Sequence, residues 1–179
     1  MIAFLLLAAL ALPSECLHIG SLYWEIGDAN GTIEYGIRGS TVHAETVMPI
    51  ASATKWLFAA DVAETGKERG QGLTANDFGL HGNESPRLLL KRELSEFLGT
   101  DPAGENAVYS HAPASWRSSY GHWIEDDGSY SSPGAFGFYP WLSGKTYGVV
   151  ARSSTSRQGY FESAVCGRAL RGAFEAAHK

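Results

Sequence analysis

Two runs of strand-forming residues, 134–142 and 146–152, are separated only by Ser143-Gly144-Lys145. A connection that short joins neighbouring strands in one way, antiparallel, and this constrains the fold more than any other feature. A third β-rich run at 120–125 precedes them across a loop from 126 to 133. Residues 158–177 follow as a helix with Phe161, Val165, Leu170 and Phe174 available to a core, although Gly159, Gly167 and Gly172 lower its propensity. Near the N-terminus, 18–26 and 32–37 flank the turn Gly27-Asp28-Ala29-Asn30-Gly31, which predicts a hairpin. Between hairpin and strands lie two helical patterns, one from Ser52 to a stop at Thr65-Gly66, the other opened by Ser85-Pro86 and stopped at Gly99. Hairpin, helices, three strands, helix predicts an α+β fold: an antiparallel sheet flanked by helices.

The 179-residue length suits one domain with a real core. A net charge of −5 and the lack of any Lys/Arg run argue against a nucleic-acid partner. Residues 1–12 are almost purely apolar and contain Ala9-Leu10-Ala11, a small-x-small cleavage pattern, though no Lys or Arg lies in the n-region. The run is too short to cross a bilayer. It reads as a signal peptide over 1–11, leaving a domain of 12–179 that is secreted or periplasmic, with no stable membrane insertion after cleavage. Cys16 and Cys166 have two readings: a bridge formed in an oxidising compartment, or two unpaired thiols. Unpaired is the expectation adopted here. The histidines are scattered, and His122 and Glu125 fall on opposite faces of one strand, so no metal and no cofactor is expected.

Ser52-Ala53-Thr54-Lys55 opens the first helical pattern. A spacing of three sets both side chains on one face, about 5–6 Å apart at Cβ. That suits a hydroxyl nucleophile beside an amine base. The positive end of the helix dipole and burial both disfavour the charged amine, which favours a lysine able to take a proton.

The most specific stretch is Ser131-Ser132-Pro133-Gly134-Ala135-Phe136-Gly137-Phe138-Tyr139-Pro140-Trp141, followed by Tyr147-Gly148-Val149-Val150-Ala151-Arg152. With the Ser52 helix, it resembles the β-lactamase-related serine hydrolases: class C β-lactamases, D-alanyl-D-alanine carboxypeptidases and esterases. The resemblance covers the two ends of the site and implies a β-lactamase/transpeptidase-like fold with a reduced helical region. It implies Ser52 as nucleophile and Lys55 as base. Counting back from Gly134-Ala135-Phe136-Gly137-Phe138-Tyr139 puts Ser129-Tyr130-Ser131 where the family has Lys-Thr-Gly, so that motif's cation is missing. The resemblance then makes Ser129, Ser131 and Gly134 substrate-binding and gives the oxyanion hole to the Ser52 and Ser132 amides. Tyr109-Ser110-His111 stands for the family's Tyr-x-Asn, with Tyr109 as a proton relay; Tyr120-Gly121-His122 is its rival.

The function these features imply is hydrolysis of a small ester, amide or β-lactam through an acyl-enzyme on Ser52. A carboxylesterase or β-lactamase-like hydrolase is expected. The alternative is a shortened, catalytically silent relative acting as a binding protein.

Overall fold

The structure is a computed structural model describing residues 10–57, 115–118, 122–156 and 159–178. Its frame is a seven-stranded sheet built from β1 (Leu22–Asp28), β2 (Gly31–Arg38), β3 (Arg117–Ser118), β4 (Trp123–Ile124), β5 (Tyr130–Ser131), β6 (Phe138–Ser143) and β7 (Thr146–Ala151). The order across the sheet is β2-β1-β7-β6-β5-β4-β3, with every neighbouring pair antiparallel. One long helix, Gly159–Ala177, follows β7.

Each close turn has a local cause. In the β1–β2 hairpin the Asp28 carboxylate accepts the Asn30 N–H at 2.7 Å, and Gly31 takes a φ of 131°, open only to glycine without strain. The β6–β7 hairpin turns at Gly144, φ 57°, as the Ser143-Gly144-Lys145 spacing predicts. Strands β1 and β7, from opposite ends of the chain, then pair from Tyr23↔Ala151 to Gly27↔Tyr147.

Side-chain alternation gives the sheet two different faces. One carries Leu22, Trp24, Ile26, Tyr139, Trp141 and Val150, all covered by the C-terminal helix through Ala164, Leu170 and Phe174. Tyr139 and Trp141 stack with ring centroids 5.4 Å apart, and Gly167 lets the helix lie directly on them. A Cβ at 167 would stand 2.4 Å from Tyr139 Cδ1. The glycine expected only to weaken this helix is what allows its close approach. The opposite face holds a smaller cluster of Tyr23, Val42 and Ala151, with Met48, Phe138 and Val149 packed against it.

Some expectations are corrected. Cys16 and Cys166 are not free: they form a disulfide, with both residues fully buried and their Cα atoms 4.8 Å apart. Phe161 and Val165 are exposed, and the helix instead buries Ser163, Ala164, Cys166, Gly167, Leu170, Arg171 and Phe174. Its inward stripe is therefore composed of small and mixed residues, which an apolar-only reading passes over. The stretch expected as one strand at 134–142 is a turn at 135–137 followed by β6, because Gly137 takes a φ of 100°. Within the expected loop 126–133, Tyr130–Ser131 form a strand. The helix expected at 85–98 and the end of the Ser52 helix lie outside the described residues. No helix among the described residues is long and apolar enough to cross a membrane.

Candidate active site

The Ser52 turn lies on the sheet face away from the C-terminal helix. Ala51–Ala53 form one turn of 3-10 helix, followed by helical residues 54–57. Thr54 Oγ1 donates to the Ala51 carbonyl at 2.7 Å, and the Ala53 N–H donates to the Ile50 carbonyl at 3.1 Å. Ala51 has a φ of 46°, a left-handed conformation that costs a non-glycine residue on the order of 1 kcal/mol or more. The strained residue immediately precedes Ser52.

Lys55 Nζ donates to Ser52 Oγ at 3.1 Å, the contact that the spacing of three predicts. The setting differs from expectation. Ser52 is half-buried but Lys55 is exposed, so the burial expected to favour a neutral amine is not found there.

Two contacts tie this turn to the sheet. Ser132 Oγ donates to the Ser52 carbonyl at 3.3 Å. Gly134 lies against the Ile50 carbonyl so closely that a Cβ would come within 2.1 Å of its oxygen. At Gly134, expected to bind substrate, the missing side chain lets two backbone segments meet.

Strand parity decides the rest. Tyr130 pairs with Leu142 and Ser131 with Trp141, so Ser129 and Ser131 share the helix-covered face while Tyr130 and Ser132 share the Ser52 face. Ser131 is fully buried on the Trp141 side, and its hydroxyl has no partner among the described residues. Ser129 is also buried, with its N–H donated to Asp127 Oδ1 at 3.0 Å and its hydroxyl to the same oxygen. Both of these expected substrate-binding serines thus lie on the sheet face opposite Ser52.

The Ser132 N–H, expected in the oxyanion hole, donates to the Pro140 carbonyl at 3.3 Å, within the sheet ladder. What Ser132 does contribute is its hydroxyl. Tyr109, the expected relay, lies outside the described residues, as do Tyr120 and Gly121 of the rival motif.

His122, the last residue of that rival motif, does join the site. Its ring lies 5.4 Å from that of Trp56, and 5.3 Å from that of Tyr130 in an edge-on arrangement. Trp56 and Tyr130 are not among the expected site residues, although the sequence carries their signal: Trp56 stands four residues after Ser52, and Tyr130 stands two before Ser132 on an alternating strand.

Behind the sheet a charged cluster organises β4, β6 and the helix. The buried Glu125 carboxylate receives Arg171 Nη2 at 2.8 Å, Arg168 Nε at 3.3 Å and the Tyr139 hydroxyl at 2.6 Å. Burial, with the negative charge of Glu125 beside it, pushes the Tyr139 phenol well above its ordinary value and keeps it protonated. Asp127 also pairs with Arg171, and Asp126 with Arg168. The three carboxylates converge within 4.8 Å, yet two guanidinium groups already compensate them. The cluster reads as a structural network.

No protein-family model matches this chain, and no curated protein matches it. Among solved structures the chain is similar to one described as a "putative beta-lactamase from Bacteroides dorei DSM 17855", at 14% identity and a TM-score of 0.43, over 86% of this chain and 94% of that one. A likeness that low carries no argument about activity.

Proposed function

We propose that this protein is an exported serine hydrolase of β-lactamase-like architecture that works through an acyl-enzyme on Ser52. One observation carries the reading: Lys55 Nζ lies 3.1 Å from Ser52 Oγ at the start of a helical segment. In the proposed cycle Lys55 takes the Ser52 proton while Oγ attacks the carbonyl carbon. The tetrahedral oxyanion collapses, the carbon–leaving-group bond breaks, and the Lys55 ammonium returns a proton to the departing alcohol or amine. Water then attacks the acyl carbon, giving a proton to Lys55; the carbon–Oγ bond breaks, Lys55 returns that proton to Ser52 Oγ, and the acid leaves. The Ser52 amide is the candidate oxyanion donor, and Tyr109 remains the candidate relay.

Esters come ahead of β-lactams and peptides as substrates. Ser129 stands where the resemblance expects a carboxylate-holding lysine, and it is committed to Asp127. Export to an oxidising space, the periplasm or the exterior, is supported by the Cys16–Cys166 bridge.

A second reading, a binding protein without turnover, is favoured by the engagement of the Ser132 amide with Pro140. Intact-mass spectrometry after exposure to a fluorophosphonate, and separately to a penicillin, decides between them. Labelling of the wild type but not of Ser52→Ala is the expected result. A folded wild type that neither reagent labels overturns the hydrolase.

A further inference from the structure

Three rings in successive contact stand near the Ser52–Lys55 pair. Trp56 follows Lys55 directly and is half-buried. His122 lies 5.4 Å from it, with the ring planes tilted by 31°. Tyr130 meets His122 edge-on at 5.3 Å and is 43% exposed, so this end of the row remains accessible. Tyr130 shares its face with Ser132, whose hydroxyl reaches the Ser52 carbonyl, and the row therefore borders the nucleophile. A half-exposed aromatic row next to a nucleophile is a surface on which another flat ring gains area and favourable edge or face contacts.

We infer that the Ser52 centre selects substrates carrying a planar aromatic group next to the scissile carbonyl, in the acyl or the alcohol portion, seated against Trp56, His122 and Tyr130. The inference rests on the hydrolase reading and gives it a substrate class.

The test compares kcat/KM of the full chain for ethyl phenylacetate and for benzyl acetate, each against ethyl acetate. Wild type is first titrated with a fluorophosphonate. The expected result is a preference of about tenfold for the aromatic member of at least one pair. Trp56→Ala and Tyr130→Ala, confirmed as folded by thermal melting, each reduce that preference about three- to tenfold, the scale of one ring contact, mainly through KM. Trp56→Phe keeps it. Labelling of Ser52 with no aromatic preference, or with a preference that both alanine variants retain, overturns this inference and leaves the hydrolase standing. Failure to label overturns both.

Discussion

The two faces of the sheet are held by different means. The helix-covered face is fastened by many interactions of independent origin: stacked Tyr139 and Trp141 under Gly167, a disulfide 150 residues in span, and Glu125 shared by Arg168, Arg171 and Tyr139. Among the described residues, the Ser52 face is fastened at the candidate site by a few polar contacts and one close backbone approach. The difference teaches where each kind of damage should appear. Changes behind the sheet cost stability first, and changes in front cost chemistry first.

Breaking the bridge with Cys16→Ser and Cys166→Ser is the largest blow to the covered face. Cross-linking residues so far apart stabilises by about 5 kcal/mol in the chain-entropy account. Urea unfolding should show a loss of that order, and a loss under 1 kcal/mol would mean that the bridge is not what binds the helix to the N-terminal segment.

Arg171→Leu comes next. It strips Glu125 of its closest cation while leaving the carboxylate buried. Roughly 3–5 kcal/mol should be lost, as for other broken buried pairs. Adding Glu125→Gln should restore part of it, since an amide is less costly to bury than an unpaired charge; no recovery would argue against a charge-based role.

Gly134→Ala tests the other face. Its Cβ would stand 2.1 Å from the Ile50 carbonyl oxygen, so the Ser52 turn must shift. Misplacement by about 1 Å is worth about 10²-fold in rate, whereas the stability cost should stay at roughly 1–3 kcal/mol. A variant that labels at the wild-type rate would show that the contact does not position Ser52.

The smallest expected effect is in acid. Burial alone would raise the Glu25 carboxyl, but hydrogen bonds from Tyr147, Tyr23 and Thr32 outweigh it and hold the group below its ordinary value of 4.5. A depressed folded value adds stability that is complete above the ordinary value and is lost as pH falls through the lowered one. Asp127 follows the same sign: burial raises it, and the Ser129 hydrogen bonds with the Arg171 cation more than compensate. Melting temperature should therefore fall below about pH 4.5, the ordinary carboxyl value, and Glu25→Gln should flatten the fall; an unchanged profile would remove Glu25 from the account.

Much of this was legible along the chain, and the exceptions share a cause. The β1–β2 hairpin, the β6–β7 hairpin and the C-terminal helix were placed to within a few residues, because turn glycines and periodicity act over short spans. The strand at Tyr130–Ser131 was missed because two residues carry too little pattern to stand out from the turn residues around them. The wrong helix stripe had a similar origin: Gly167, Ser163 and Arg171 face inward for reasons supplied by Tyr139, Gly137 and Glu125.

The sequence by itself determined the antiparallel turns, the closing helix and the three-residue spacing that brings Lys55 to Ser52. Each rests on forces between near neighbours. Only the tertiary structure decided that Cys16 meets Cys166, that Ser129 and Ser131 turn away from Ser52, and that Trp56, His122 and Tyr130 stand together. Those outcomes depend on strand register and on contacts between distant segments, and shifting the register by one residue would have exchanged every face.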